Sequence, residues 1–327
     1  MKKIAVIGFG FMGVVRAKNL INSGTLELCG IVDNRDGDIF AGIANTGNQG
    51  ALELPMERLA RTPVFDTLEE CVDQARPEAV LICVPLFLHY ELTKKALNFG
   101  LDVLLEKPFC PEVEQCRELI ELAAEKKRIL MVAHSLRFSP PYEVLAQCIR
   151  DERHGKLRWL STTRMGGEPT WGVWQSPEVK KTCGGALFDL LIHDLDFSNY
   201  CFGVPAAVKV NVHRDEYWEV VLQYNNDAVI SIKGGFLHRH TAFAAEYAAT
   251  FERGSLRFCT LQPETVHLGT DNGSQAIMAG GDAYDEELKY FAASLVTRML
   301  PQRCPPESAL QAIELCQQVL SQLKRTT

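Results

Sequence analysis

The 327-residue chain contains no run of 18 consecutive apolar residues, the length at which a transmembrane helix becomes a candidate, so no membrane span is expected. It has no extended basic run, and its formal net charge is −7. A surface that neutralises phosphates needs a basic excess, so neither nucleic acid nor an anionic membrane is an expected partner. No C-x-x-C pair occurs; the 11 cysteines are odd in number, and several sit inside apolar runs. In a chain of this length that pattern reads as reduced packing thiols in a cytoplasmic protein, not a disulfide framework. Internal repeats and long low-complexity segments are missing too. Hydrophobic residues make up 46% and charged residues 23%, which excludes disordered, collagenous and fibrous classes.

What is present begins at the first residues. Met1-Lys2-Lys3 followed by apolar Ile4 to Val15 has the outline of a secretory signal. However, Gly8, Gly10 and Gly13 interrupt it, Arg16 and Lys18 follow at once, and no small-x-small cleavage site appears, so no leader is expected. A nucleotide-binding reading explains the same residues better. Lys3 to Ile7 reads as a buried parallel strand. Gly8-Phe9-Gly10-Phe11-Met12-Gly13 follows, then a helix from Val14 to Ser23, then a strand from Leu26 to Val32 ending in Asp33. Strand, G-x-G-x-x-G, helix, strand and acid, in that order, form the dinucleotide fingerprint. The first glycine permits the tight turn. The second lets the backbone approach a pyrophosphate, and the third lets helix and strand pack closely. Asp33 is expected to accept from the ribose hydroxyls of the adenosine half, which favours NAD. Arg35, two residues on, could hold a 2′-phosphate and keeps NADP open.

The α/β alternation continues. Val80 to Val84, Val103 to Leu105 and Ile129 to Ala133 read as strands, with helices over 88–99 and 111–127, and a glycine-rich loop over 37–50. That predicts a doubly wound parallel sheet with ligands at its carboxyl edge, where Gly8, Asp33, Pro85 and Lys107 fall. Beyond about residue 155 the pattern changes to consecutive strands at 157–163, 208–212, 218–224, 229–234 and 247–251, with a hairpin turn at Asn225-Asn226-Asp227. One helix interrupts them at 186–200, and others are expected over 286–295 and 306–324. The fold class is therefore α/β: a Rossmann doubly wound parallel sheet over 1–125, then an α+β domain over 126–327 with a large, mostly antiparallel open sheet. The boundary is expected between residues 120 and 135, without an obvious linker.

The helix at 186–200 carries Asp189, His193 and Asp196 at i, i+4 and i+7, on one stripe. A solvated polar face would show the same spacing. A zinc site would need two further ligands that no recognisable spacing supplies, so no metal is expected. Lys107, in Glu106-Lys107-Pro108, reads as a turn lysine in isolation and as a functional one beside a nucleotide crevice. Oxidation of an alcohol removes a hydroxyl proton as hydride leaves carbon. An imidazole can take that proton, an ammonium can steady the developing alkoxide, and a carboxylate four residues before the histidine can orient it.

These pieces together resemble the Gfo/Idh/MocA oxidoreductase family. The matching segments are GFGFMG at 8–13, CVPLFLH at 83–89, LLEKPF at 104–109, LRFSPP at 136–141 and GGALFDLLIHDLDF at 184–197, in the family's order along nearly the whole chain. The resemblance implies a Lys107, Asp189 and His193 catalytic set. It implies a dinucleotide held by Gly8, Phe9, Gly10, Phe11, Met12, Asp33, Asn34, Arg35, Val84, Pro85, Leu86 and His89, with Glu106 and Lys107 at the nicotinamide end. It further implies an NAD(P)-dependent dehydrogenase acting on a polyhydroxy small molecule, and a homodimer or homotetramer formed through the C-terminal sheet. Three positions depart from the family pattern: Val84 replaces a threonine, Leu86 an asparagine and Cys183 a glycine. Cys183 reads as a small filler, not a nucleophile. A non-catalytic cofactor-binding regulator and an NAD-dependent glycosidase are the alternatives on the same fold. His238 and His240 are read as an exposed strand end. Trp171 and Trp174 are read as packing or as a stacking surface, and Tyr284 is left without a role.

Overall fold

The computed structural model describes residues 1–35, 37–41, 53–169, 176, 183–213 and 217–323. They divide into two compact units. The first holds the described residues of 1–133, Ser176 and those of 284–310, and the second those of 134–169, 183–283 and 311–323.

Six parallel strands build the first unit: β1 (Lys2–Ile7), β2 (Leu26–Val32), β3 (Val64–Phe65), β4 (Ala79–Ile82), β5 (Asp102–Glu106) and β6 (Leu130–Ala133), in the order β3-β2-β1-β4-β5-β6. The helices α1 (Phe11–Ser23), α2 (Leu68–Ala75), α3 (His89–Asn98) and α4 (Val113–Lys126) connect them. β4 and β6 are buried at every position, as an apolar strand covered on both faces must be. The strand order reverses between β1 and β4, which opens a crevice at their carboxyl ends.

The second unit is built on an eight-stranded sheet: β7 (Leu157–Gly167), β8 (Ala207–His213), β9 (Tyr217–Gln223), β10 (Val229–Leu237), β11 (Ala244–Phe251), β12 (Gly254–Cys259), β13 (Thr265–Thr270) and β14 (Gly273–Met278). Its order is β14-β13-β12-β11-β7-β10-β9-β8, and β7–β10 is its one parallel pair. The hairpin between β9 and β10 turns at Asp227, whose φ is 64°. Burial alternates along β9, so one face of the strand is covered and the other half open. α5 (Pro140–Arg150) and α6 (Ile192–Phe202) pack on the covered face. The Tyr247 hydroxyl donates to the Pro141 carbonyl at 2.8 Å, and Arg164 of β7 reaches Asp194 of α6. Two helices close the described chain: α7 (Ala283–Thr297) and α8 (Pro306–Leu323).

The units divide differently from 1–125 and 126–327. β6 pairs with β5 through Val103–Leu130 to Glu106–Ala133, so the first sheet is complete only at residue 133. Residues 284–310 also belong to the first unit, because Glu287 and Arg298 pair with Arg16 and Asp102 there. The eleven cysteines are free thiols; Cys83, Cys201 and Cys259 are half-buried and the others buried. Among the described residues, no helix is long and apolar enough to cross a membrane.

Candidate functional site

Gly8 follows β1 with φ at 85°, and a Cβ there would stand 2.7 Å from both the Cys83 carbonyl oxygen and Val84 Cγ1. A Cβ at Gly13 would stand 2.0 Å from the Gly8 carbonyl oxygen, so α1 closes on the turn only with glycine at that position. Gly10 differs from both. Its φ is an ordinary −74°, and nothing lies within 4 Å of where its Cβ would be. Gly10 also starts α1 without a side-chain cap, so the first-turn N–H groups, those of Phe11 and Met12 among them, have no intrahelical acceptor. An open backbone cradle at an uncapped helix N-terminus fits a pyrophosphate.

Asp33 stands at the end of β2. Its Oδ2 accepts from the Phe9 N–H at 2.7 Å, and its Oδ1 accepts from the Arg35 N–H at 3.1 Å and from Arg35 Nε at 2.7 Å. Burial alone would raise the carboxyl group's proton affinity. The Arg35 side chain and the two backbone N–H groups outweigh it and hold the group below the usual carboxylate range. Asn34 is exposed beside them. The Phe9 ring packs edge-on against Phe40 at 5.5 Å.

On the other side of the crevice, Val84 and Pro85 are half-buried and Leu86 is buried. His89 is also buried. Its Nε2 lies 2.9 Å from the Val84 carbonyl oxygen, and its Nδ1 lies 2.7 Å from that of Pro108 and 3.2 Å from that of Phe109. The imidazole thus ties the end of β4 to the turn after β5. Burial pushes its proton affinity down, against the pull of those carbonyls. Glu106 ends β5, with Lys107 half-buried next to it.

A charged group lies behind Glu106 that the sequence reading did not single out. Arg16 of α1 is fully buried and donates from Nε to Glu106 Oε1 at 2.8 Å; its terminal nitrogen lies 2.5 Å from Glu287 Oε2 of α7. Its guanidinium lies over the Tyr284 ring at 5.2 Å, which gives that aromatic a place. Burial opposes the charge on Arg16, but Glu106 and Glu287 outweigh it and strengthen its hold on its proton. The Cys83 thiol is pushed up by burial and then by Glu106.

In the second unit, Gly184-Gly185 leads into a π-helical turn, Leu187–Leu191, that continues directly as α6. Within 187–199, Asp189 and His193 are half-buried and every other residue is buried. A solvated polar face is therefore not what forms. The third member of the expected stripe, Asp196, is fully buried, although it follows His193 within the same regular α-helix. Asp196 is gripped by Arg137, with Nε to Oδ2 at 2.9 Å and a terminal nitrogen to Oδ1 at 2.5 Å, and His134 Nδ1 stands 3.5 Å away. Asp194 is gripped by Arg164 from β7 at 2.6 Å, and Arg164 also donates to the Tyr142 hydroxyl at 3.1 Å. Cys183 is buried, while His238 and His240 are exposed just beyond β10. Trp171 and Trp174 lie outside the described residues. Among the described residues, no group of three His, Cys, Asp or Glu side chains is arranged to hold a metal ion.

A family profile described as the oxidoreductase family, NAD-binding Rossmann fold, matches residues 2–134. The GFO/IDH/MocA C-terminal domain matches residues 142–257. D-glucoside 3-dehydrogenase of Escherichia coli (strain K12) is 30% identical over 299 residues, spanning 84% of this chain and 80% of that protein. The scyllo-inositol 2-dehydrogenase (NAD(+)) of Bacillus subtilis (strain 168) is 30% identical over 313 residues, spanning 89% and 85%. Among solved structures, levoglucosan dehydrogenase in complex with NADH and levoglucosan has the same fold, with a TM-score of 0.83 over 100% of this chain and 98% of that one, at 16% identity.

Proposed function

Because the chain belongs to the GFO/IDH/MocA oxidoreductase family, with its NAD-binding Rossmann fold, we propose that it is an NAD(P)-dependent dehydrogenase acting on a carbinol carbon of a sugar, polyol or related small molecule. The observation that carries this reading is the nucleotide cradle. It combines a clash-bound Gly8 and Gly13, an open Gly10, an uncapped α1 and an ionised Asp33 on one sheet edge that ends in Glu106-Lys107. A bound nicotinamide dinucleotide supplies the hydride acceptor or donor. Phe11 and Met12 N–H groups would hold its pyrophosphate, and Asp33 would accept from its adenosine ribose.

Three side chains handle the proton and the charge on oxygen. The Lys107 ammonium steadies the substrate oxygen as it becomes an alkoxide. The His193 imidazole takes the hydroxyl proton, and Asp189, four residues earlier, positions it. The support for these roles is that Asp189 and His193 alone keep partial exposure across 187–199. We read the half-open face of the second sheet as the contact between copies in a homodimer or homotetramer, and the free thiols as the mark of a cytoplasmic protein.

The test is a screen of sugars, sugar acids and polyols with NAD and NADP in parallel, followed by absorbance of the reduced nicotinamide. On the substrate so found, Lys107→Ala should lower kcat by about 100-fold or more while NADH binding changes little. Full turnover in that variant rejects the assignment.

A further inference from the structure

Resting on the dehydrogenase reading, we propose that Arg16 is a positioning residue for Lys107: it holds the Glu106 carboxylate away from the neighbouring ammonium, so that Lys107 serves the substrate oxygen and not its own acid. One peptide bond joins Glu106 to Lys107. Arg16 reaches Glu106 from α1, with Nε and a terminal nitrogen 2.8 and 2.6 Å from Oε1. The same terminal nitrogen lies 2.5 Å from Glu287 Oε2, and the other donates to the Tyr284 carbonyl oxygen at 3.5 Å. The side chains are 1% exposed for Arg16, 9% for Glu106 and 0% for Glu287, which leaves little room for water to replace these bonds. Among the described residues, no other side chain bonds to the Glu106 carboxylate.

One guanidinium thus serves two carboxylates, directly behind the lysine. A buried carboxylate that loses its cation must take up a proton or find another cation. His89 and the Cys83 thiol both lie within the field of Glu106. Neither can replace Arg16. Both ring nitrogens of His89 are set against backbone carbonyls, and burial keeps the thiol neutral. Lys107 is next along the chain, a point charge on a flexible four-carbon stem. Paired with Glu106, its ammonium would hold its proton more tightly and turn from the substrate. Arg16 prevents that exchange by occupying the acid first.

The effect is read on the amine itself. Acetylation of Lys107 by acetic anhydride at neutral pH is timed by mass spectrometry on the wild type, Arg16→Gln, Glu106→Gln and the double variant. The reagent attacks the unprotonated amine, so a tenfold stronger hold on the proton slows the reaction about tenfold. Arg16→Gln should react about tenfold more slowly than the wild type, and the double variant should return to within about threefold of it. Glu106→Gln alone should change the rate less than about threefold, because Arg16 already holds that carboxylate. On a substrate found by the screen, and per NADH site titrated so that unfolded chain is not counted, Arg16→Gln should lower kcat about tenfold with KM little changed. Adding Glu106→Gln should raise kcat again by about threefold or more, a reversal that a merely structural arginine does not produce. An unchanged acetylation rate in Arg16→Gln, no recovery in the double variant, or an acceleration of about tenfold in Glu106→Gln overturns the proposal. The last comparison stands even where Arg16→Gln does not fold. Titration of the wild type with NADH and NADPH tests the underlying reading separately: a chain that binds neither loses the dehydrogenase assignment, while the acetylation rates decide the hold of Arg16 on Glu106.

Discussion

Gly10 and Gly13 stand three residues apart in one turn, and their surroundings make opposite demands. Gly10 has an ordinary backbone and open space where a side chain would begin, so its lack of a Cβ matters only to a ligand. Gly13 faces the Gly8 carbonyl oxygen at a distance no side chain tolerates, so its lack of a Cβ matters to the fold. Gly10→Ala should keep stability within about 1 kcal/mol yet weaken NADH binding about tenfold or more, because the new methyl enters the cradle. Gly13→Ala should lose about 2–4 kcal/mol of stability, since helix or strand must move to accept it. Urea unfolding and nucleotide titration on the two variants separate these outcomes. This much was legible in the sequence, because glycine spacing is a local signal. The role of His89 was not. It joins three backbone carbonyls that lie up to 20 residues away, a link that no local spacing writes.

At the scale of elements, the helix carrying Asp189 and His193 is held by two buried guanidinium–carboxylate pairs. Arg137–Asp196 comes from the 3₁₀ turn before α5, and Arg164–Asp194 from β7. Removing one partner strands the other charge in the interior, which costs about 3–5 kcal/mol, whereas replacing both with apolar groups costs far less. Arg137→Met should therefore destabilise strongly, and Arg137→Met with Asp196→Leu should lose much less than the sum of the two single changes. Denaturant titration of the three variants checks it. Neither pair could be read from the sequence, because the partners are 59 and 30 residues apart and each arginine looks like an ordinary polar residue of its own segment. The strands of the second sheet were legible where apolar residues alternate, as in β9 and β10. They were missed at its far edge, where β14 is exposed at nearly every position and has no covered face to write a pattern. Leu187–Leu191 was expected to be plain α-helix, since a π-turn leaves no compositional trace.

For the molecule as a whole, the nucleotide-binding unit is not one continuous stretch. Residues 284–310 return to it and supply Glu287 to Arg16, Arg298 to Asp102, and the Cys304 thiol to the Val132 carbonyl. Without them, Arg16 keeps Glu106 but loses its second carboxylate, and the open ends of β5 and β6 lose their cover. A fragment of residues 1–133 should accordingly show strand and helix signals in far-UV circular dichroism but a broad, weakly cooperative melt, while the full chain melts sharply. A fragment that melts as sharply as the full chain would refute this dependence. The same arrangement bears on how the protein is made. Residue 310 leaves the ribosome 177 residues after residue 133, roughly 10–35 s later at typical elongation rates of 5–20 residues per second. Through that interval the nascent chain carries an unfinished unit, with a buried-type arginine lacking one of its acids. Synthesis slowed between these two points should raise its demand for chaperones, and a premature stop there should yield material that proteases clear.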